Sequence, residues 1–423
     1  MVDAMTMKST TTAFQIRPIL AALGRHKAAT ALIVLQVALT LAVATNALFI
    51  AATRLVHLSR PTGTDEAHIF VIKNDWKSGQ NAAQIDTHIR ADLTALRQVF
   101  GVRDAFSSEA FPLEGGYGIL AGIKLKADQT TRPQFSIIYF ADEHAIETLG
   151  ISLVAGRNFR SDEIATLGPY DKMTTPVVIV TQSVATILFP DSSALGKTVY
   201  LPDGPAAIIG IVKSLQGPYA GSTTRSIDED SVLFPARYAD PDSVVYIVRT
   251  ASTNMTPVID AALEALSKQG QMRLIDPASG VVTLPEARER GYATDRSVAL
   301  LMSTVCGLLL LATAAGIVGL SSFWVSQRRR QIGIRRSLGA TAGDILRYFH
   351  IENFLIVSGG IVLGSVLAFL ANLGLMNFYE LPRMPLYALL LGAALLWLLG
   401  QIAVFGPARY AAKVPPVVAI RSE

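Results

Sequence analysis

Four long apolar runs, with a long segment of mixed polarity after the first of them, dominate the pattern of this chain. None of the runs has an ionisable residue near its centre. A helix rises about 1.5 Å per residue, so about 20 such residues cross the roughly 30 Å hydrocarbon core of a bilayer. The pattern therefore predicts four transmembrane α-helices, at residues 28–52, 297–326, 353–379 and 384–406.

The segment between the first and second runs, residues 53–296, has the texture of a globular domain. Short β-branched runs, Pro and Gly turns and amphipathic stretches alternate along it. A strand–helix–strand pattern occurs near each end, and several short strands lie between. We predict an α+β domain in which residues 53–111 and 236–285 form a split βαβ subdomain and residues 112–235 form a β-rich insert.

Basic residues predict the orientation of these spans, because Lys and Arg concentrate on the cytoplasmic side of membrane proteins. They precede the first run and follow the second and the fourth. We therefore expect an amphipathic segment (1–27), a coupling segment (327–352) and a tail (407–423) in the cytosol, with the α+β domain outside. A cleaved signal peptide is the competing interpretation of the first run, but that run is longer than a typical signal-peptide core.

The composition agrees with a membrane protein. Of the 423 residues, 51% are hydrophobic and 17% are charged, against about 25% charged in soluble domains. The net charge is only +4 and the basic residues cluster at span ends, so nucleic-acid binding explains the charge poorly. The single cysteine, Cys306, cannot form an intrachain disulfide, so an exported domain must be held together by its own core.

Small and polar residues interrupt two of the spans. Gln36, Thr40 and Asn46 lie in the first, where they either hydrogen-bond across a helix–helix interface or are simply tolerated. Gly360 and Gly364 form a G-x-x-x-G pair in the third, a spacing that lets two helix backbones approach closely. This pair predicts helix packing, either within the subunit or across a dimer.

The segment between the second and third spans is strongly basic. Residues 328–347 contain six arginines and one aspartate. Gly339 and Gly343 bracket the short stretch between them, which predicts a helix, a turn and a second short amphipathic helix. Such a segment suits a cytosolic partner, although arginines here could also serve only to fix topology and touch lipid headgroups. Its apolar residues recur at nearly helical intervals: Ile332, Leu338, Ile345 and Leu346.

The same segment carries a resemblance to a known family. RRRQIGIRRSLGATAGDILRYFHIEN (328–353) resembles the loop after the second span in FtsX/MacB-type ABC transporter permeases, with Gln331 where the family usually has Glu. The resemblance implies a coupling helix that docks on a cytosolic ATPase subunit. The residues to which it assigns ATPase coupling are Arg335, Arg336, Ser337, Leu338, Gly339, Ala340, Thr341, Asp344, Ile345, Leu346 and Glu352.

Glu352 has two interpretations at the cytosolic start of the third span. It matches a glutamate common at this place in the family, where it would tie the coupling segment to the span. Alternatively, it is an interfacial residue that reaches headgroup water.

Three stretches of the globular segment resemble the periplasmic core domain of MacB-type permeases: residues 142–159, 176–199 and 206–215. The basic tail from Pro407 to Arg421 resembles the end of the same family. In that family the core domains pair across a dimer and can meet a periplasmic adaptor protein. The resemblance covers nearly the whole chain.

No enzyme site is evident in the sequence. Gly196-Lys197-Thr198 resembles the end of a phosphate-binding loop, but Asp191 stands where that motif requires glycine, and we predict a structural turn. The six histidines show no metal-ligand spacing. We therefore expect no catalytic, cofactor or metal residues, with ATP and Mg²⁺ bound by the partner ATPase.

Together these features predict a dimeric permease subunit in the inner membrane, in contact with lipid, that turns ATP hydrolysis into movement of periplasmic domains. Export of drugs, toxins or peptides with an adaptor is the expected use. The alternatives are extraction of lipoproteins and ATP-driven regulation of a periplasmic cell-wall hydrolase without transport.

Overall fold

The two sequence patterns correspond to two units of a computed structural model. The structure describes residues 27–76, 80–114, 118–218, 227–270, 273–379 and 383–413. One unit, the helical unit, comprises residues up to Leu58 and from Arg296 onward, and the other, the globular domain, comprises Ser59–Asp295. The predicted N-terminal segment, apart from Lys27, and the end of the predicted tail lie outside the described residues.

Ten α-helices occur within the described residues. They are α1 (Lys27–Leu58), α2 (Ala82–Arg97), α3 (Ala145–Leu149), α4 (Gln182–Leu188), α5 (Thr256–Ser267), α6 (Leu284–Gly291), α7 (Ala293–Gln327), α8 (Arg329–Ser337), α9 (Ala342–Tyr379) and α10 (Leu386–Ala412).

Thirteen β-strands occur in the same ranges, all in the globular domain. They are β1 (Ile69–Trp76), β2 (Val102–Ser108), β3 (Ile119–Ile123), β4 (Gln134–Ala141), β5 (Leu153–Gly156), β6 (Ala165–Leu167), β7 (Val177–Thr181), β8 (Thr198–Leu201), β9 (Gly204–Val212), β10 (Ser231–Tyr238), β11 (Val244–Thr250), β12 (Arg273–Leu274) and β13 (Val281–Thr283).

The first sheet contains the split βαβ arrangement predicted from the sequence. Its order is β12-β1-β11-β2, with β13 also paired to β1, and β11 lies antiparallel between β1 and β2. Side chains alternate along β1, so that Phe70 and Ile72 pack with α2 and α5 while Ile69 and Val71 face the opposite layer. A strand buried on both faces is apolar at nearly every position, so the first residues of β1 do not alternate between apolar and polar.

The second sheet forms the β-rich insert. Its order is β3-β4-β10-β7-β9-β5, with β6 paired to β10 and β8 paired to β9. Ile137, Ile179 and Leu233 face the first sheet, and the opposite faces of the same strands pack under α4. The globular domain thus has α2 and α5 on the first sheet, an apolar core between the two sheets, and α4 on the outer face of the second sheet.

The predicted boundary between insert and βαβ subdomain, at residues 235 and 236, is wrong. It cuts β10, which pairs with β4, β6 and β7 of the second sheet along its length. The strand continues through Pro235, where the predicted insert ended, so this proline does not end β10.

Four helices of the helical unit, α1, α7, α9 and α10, are long and apolar enough to cross a membrane. Each extends past its predicted span at one end or both, although α10 begins two residues inside the predicted start. In particular, α10 continues through Pro407 to Ala412, into the segment predicted as tail, and Pro407 is buried within it. Residues with polar side chains can continue a helix beyond the apolar stretch, so the apolar run underestimates the length of the helix.

The first helix is the packing centre of this unit. Gln36 donates to the carbonyl of Ala312 at 3.0 Å, the Thr40 and Thr313 hydroxyls are 2.7 Å apart, and Asn46 donates to the carbonyl of Ala368 at 3.1 Å. The three polar residues singled out in the first span therefore each hydrogen-bond to a neighbouring helix.

The two glycines of the G-x-x-x-G pair pack against α1 of the same chain. A Cβ atom on Gly360 would lie 2.7 Å from Val37 side-chain atoms, and one on Gly364 would lie 2.8 Å from the carbonyl oxygen of Ala38. Real Cβ atoms do not approach so closely, so α9 can reach α1 here only through glycine. Packing within the subunit is the alternative that the structure favours.

Candidate functional site

The basic segment after the second span forms α8 and a tight turn, residues 338–341. Gly339 ends the helix with φ +99°, a left-handed conformation that glycine adopts without penalty. Its N–H donates to the carbonyl of Arg336 at 3.2 Å, and that of Ala340 donates to the carbonyl of Arg335 at 3.1 Å. These two bonds form a Schellman motif, which uses carbonyls that the end of a helix leaves unpaired.

A capping arrangement begins the next helix immediately. The Thr341 hydroxyl accepts from the N–H of Asp344 at 3.2 Å, while the Asp344 carboxylate accepts from the Thr341 N–H at 3.0 Å and from its hydroxyl at 2.7 Å. This reciprocal pair is a capping box with Asp in place of Glu. The turn between α8 and α9 is therefore closed by hydrogen bonds on both sides.

The second helix is not the short one that the sequence predicted. It continues for 38 residues, from Ala342 to Tyr379, and includes the whole third span. No glycine or proline occurs between Asp344 and Gly359, so nothing ends the helix at the membrane surface. A force applied at the turn thus acts directly on the end of a membrane helix.

The apolar residues of this segment divide into a base and an exposed edge. Ile332 and Ile345 are buried, and Leu346 packs partly buried against the same cluster. Leu338, by contrast, is 82% exposed and Ile334 is 46% exposed. The base is completed by residues from α7, α9 and α10: Val325, Phe349, Val404, Ala408, Ala411 and Ala412.

The residues predicted for ATPase coupling are therefore not equivalent. The exposed group is Arg335, Ser337, Leu338, Gly339, Thr341 and Asp344; Arg336, Ala340 and Leu346 are half-buried; Ile345 and Glu352 are buried. Sequence reasoning missed Ile334, which lies four residues before Leu338 and therefore on the same face of α8. That i, i+4 spacing was the signal that could have identified it. We call the exposed set, with Ile334, the coupling turn.

Glu352 forms an ion pair that joins the segment to the third span. Arg328 Nη1 lies 2.9 Å and 3.1 Å from the two carboxylate oxygens of Glu352, whose side chain is 2% exposed. Arg328 also stacks over the Trp324 ring, 5.9 Å from its centroid. Because Arg328 immediately precedes α8, the pair links the end of α7 to α9. The structure favours the linking interpretation of Glu352 over an interfacial one.

Two more arginines contact aromatic rings beneath the coupling turn. Arg329 donates to the Tyr410 hydroxyl at 2.6 Å, and Arg335 lies 5.0 Å from the centroid of the Tyr348 ring. Such contacts use part of the basic charge to hold α8 against α9 and α10. Tyr348 and Tyr410 were not singled out from the sequence, because partners distant along the chain give no local pattern.

This arrangement can bind, but it offers no reaction chemistry. An apolar residue flanked by arginines protrudes from a turn whose two helices are fixed by packing, caps and an ion pair. Rigid elements that present an exposed anchor are typical of protein-binding surfaces. The coupling turn thus combines an exposed apolar anchor with flanking charge, as protein-binding surfaces do.

The phosphate-loop resemblance at Gly196 is a structural turn, as predicted. Gly196 has φ +77°, and its N–H donates to the carbonyl of Ile208 at 2.8 Å as the chain enters β8.

Two family models match the chain. One, described as FtsX-like permease C-terminal, matches residues 303–416, and the other, described as MacB-like periplasmic core domain, matches residues 30–266. The first includes the coupling turn, and the second includes the whole second sheet and strands β1, β2 and β11 of the first.

Similar proteins come from several bacteria. The macrolide export ATP-binding/permease protein MacB of Chromobacterium violaceum is 25% identical over 276 residues, 65% of this chain and 41% of that protein. The uncharacterized ABC transporter permease YknZ of Bacillus subtilis is 23% identical over 374 residues, 86% of this chain and 87% of that protein. The crystal structure of the periplasmic region of MacB from Actinobacillus actinomycetemcomitans matches 56% of this chain and 97% of its own at 14% identity, with a TM-score of 0.32.

The chain thus spans about two fifths of the length of the MacB relatives that it matches, and most of the length of the YknZ permease. The core-domain model alone covers more than half of the chain. This protein belongs to the family of ABC transporter permeases that combine a MacB-like periplasmic core domain with an FtsX-like permease domain.

Proposed function

We propose that this chain is a transporter permease subunit that docks on a separate cytosolic ABC ATPase through the coupling turn. The observation that carries the proposal is the exposure of Leu338 on a turn whose neighbours are fixed. An exposed leucine costs solvation free energy unless a partner covers it, and the surrounding arginines suit an acidic rim on that partner. ATP and Mg²⁺ would bind to the ATPase subunit.

The mechanism that we propose is transmission of movement. The Arg328–Glu352 pair joins the segments on either side of the coupling turn, so that a displacement of the turn moves α7 and α9 together. In the chain, α7 follows the globular domain after one turn residue from α6. Closure of the ATPases would therefore change the position of the globular domain through α7.

The proposed assembly is a dimer in the inner membrane, with both termini in the cytosol and the globular domain in the periplasm. The basic residues at the coupling turn support this orientation, because arginines resist translocation. Since α1 covers Gly360 and Gly364, we expect a dimer contact to use another surface of the spans.

Export of drugs, toxins or peptides with a periplasmic adaptor is the use that we propose. The name of the Chromobacterium relative, a macrolide export protein, supports export as a class. Copurification of an adaptor would favour export, bound lipoprotein would favour extraction, and activation of a cell-wall hydrolase without transport would favour regulation.

The test is whether Leu338→Asp abolishes capture of an ATPase subunit. The full chain, tagged and extracted gently from native membranes, should bring an ABC ATPase with it, and the variant should not. Leu274→Asp is the matched control, because Leu274 is 68% exposed but lies in the globular domain. Both variants should insert and unfold like the parent, since neither side chain is buried.

Undiminished ATPase capture by Leu338→Asp would contradict the docking assignment. If no ATPase copurifies even with the parent chain in several mild detergents, a sensor or scaffold that works without ATPase replaces the transporter proposal. In that case substitutions in the coupling turn should leave its activity intact.

A further inference from the structure

A cavity of about 540 Å³ opens in the globular domain, remote in sequence from the coupling turn. Lys73, Val245 and Ser108 are cross-strand neighbours on β1, β11 and β2, and Glu109 follows Ser108 at the end of β2. Lys73 takes the inward position that Ile69 and Val71 hold earlier along β1, so a charged side chain replaces the apolar core at this point. The cavity has a size typical of small-molecule sites.

Glu109 is a buried carboxyl group with one oxygen unpaired. It lines the cavity and is 8% exposed. Its Oε2 accepts from the N–H of Phe140 at 3.2 Å and lies 3.0 Å from the Ser108 hydroxyl, whereas Oε1 is buried without a hydrogen-bond partner. A buried unpaired carboxyl oxygen is costly, so its retention calls for an explanation by function.

The remaining charges of the cavity are mostly negative. Lys73 Nζ lies 2.8 Å from Glu114 Oε1, which leaves Glu114 Oε2 buried and without a partner. Asp75, Asp242 and Tyr238 also line the cavity, so four carboxyl groups and a phenol accompany one ammonium group. Beside them lie apolar walls from Ile119, Val244 and Val245.

Burial raises the pKa of three of these carboxyl groups, those of Glu109, Glu114 and Asp75. Burial, followed by the charge of Glu114, raises the pKa of Glu109 to about 7. Burial also raises the pKa of Asp75, with repulsion from Asp242 and Asp240 as the next causes. A positively charged ligand would relieve both effects.

We propose that this cavity binds an organic cation, namely an amine carried on an apolar stem, with Glu109 Oε1 as its principal acceptor. The unpaired oxygens of Glu109 and Glu114 are buried, so the two carboxyl groups would turn toward the entering ammonium group and accept its hydrogen bonds. The apolar walls would cover its methylenes. The width and apolar lining of the cavity favour an organic cation over a bare metal ion, which needs tightly converging oxygens.

Calorimetric titration of the full chain in a non-ionic detergent with spermidine tests the proposal. We expect saturable binding at pH 8, at least tenfold weaker in Glu109→Gln, because a hydrogen bond to a charged group is lost. Glu264→Gln is the matched control, since Glu264 is a surface carboxylate outside the cavity that pairs with Lys268. Its affinity should equal that of the parent. Calcium at equal ionic strength should not displace spermidine.

Two further readouts distinguish ligand binding from a structural role. Because the pKa of Glu109 is about 7, the affinity of the parent for spermidine should fall about tenfold between pH 8 and pH 6. Binding should also release a proton from Glu109, which makes the measured heat depend on the ionisation enthalpy of the buffer. Both effects should vanish in Glu109→Gln. Lys73→Gln should bind more tightly, because it frees Glu114 and removes a competing charge.

Any of four outcomes would overturn the cation site. The parent chain shows no saturable binding of spermidine, Glu109→Gln binds it with the parent's affinity, Glu264→Gln loses affinity for it, or calcium displaces it. If Glu109→Gln does not fold, the proposal is tested by the pH dependence of spermidine binding to the parent and by the affinity of Lys73→Gln. Because the titration needs no ATPase, its failure leaves the docking proposal at the coupling turn standing.

Discussion

The globular domain and the helical unit satisfy their buried polar groups in different ways. In the globular domain, charged side chains pair with each other: Arg273 donates twice to Asp92 at 2.9 Å. Between the spans of the helical unit, side-chain amides reach backbone carbonyls of a neighbouring helix, as when Asn353 donates to Gly400 at 2.8 Å, and the buried Arg328–Glu352 ion pair lies only at their end. The two units should therefore be sensitive to different substitutions, those that unbalance charge in the first and those that add volume in the second.

The largest effect should come from Arg273→Ala in the globular domain. Asp92 is fully buried and also accepts from the Tyr246 hydroxyl at 2.6 Å, so loss of the guanidinium leaves a buried carboxylate without its counter-charge. We expect a loss of about 3–5 kcal/mol in the free energy of unfolding. Denaturant unfolding of the full chain, followed by tryptophan fluorescence, measures it.

Lys268→Ala is the control for that change. Its partner Glu264 is well exposed, so the pair should contribute about 0–1 kcal/mol. Equal losses in the two variants would mean that burial does not govern the strength of ion pairs in this domain.

Glu109→Gln should move stability in the opposite direction, and only at high pH. The folded-state pKa of Glu109 is raised above the unfolded value, so its favourable contribution is complete below pH 4.5 and is lost as the pH rises through about 7. The glutamine variant should therefore exceed the parent by up to about 3 kcal/mol at pH 8 and match it at pH 4, below the unfolded pKa. Thermal unfolding without amines at both pH values measures this difference. A gain of the same size at pH 4 would show that charge is not its cause.

In the helical unit, Gly364→Ala should destabilise by about 1–3 kcal/mol, because the added methyl group meets the Ala38 backbone and the helices must move apart. Gly359→Ala is the matched control on the same helix, since its Cβ would find only Val34 Cγ2 at 3.9 Å. That variant should be neutral or slightly stabilised, because alanine favours helix. Unfolding in mixed micelles measures both. Equal losses of stability in the two variants would mean that close packing against α1 does not set the requirement for glycine at residue 364.

These cases show which features of the fold can be predicted from the sequence and which cannot. Hydrophobic periodicity located the four spans, the split βαβ arrangement and most strands, since each depends on residues close in the chain. The assignment of β10 failed because its partners β4 and β7 are distant in sequence, and no local signal announces such pairing. Similarly, the coupling segment was found, but which of Leu338 and Ile345 is exposed depends on α10 packing against α9.

The smallest effect concerns the beginning of α9, where the helix leaves the packed unit and enters the coupling turn. Thr341→Ala removes the hydroxyl that accepts from the Asp344 N–H, and water can replace it at this exposed site, so we expect a local loss of about 0.5–1 kcal/mol. Thr341→Ser keeps the hydroxyl and should behave like the parent. Hydrogen exchange should accelerate at residues 342–344 in the alanine variant and remain unchanged at Ile356 and Val357, which pack in the core of the unit. Faster exchange along the whole of α9 would mean that the turn and the span unfold together, in which case the first turn of α9 could not yield to a partner while the span remains in place.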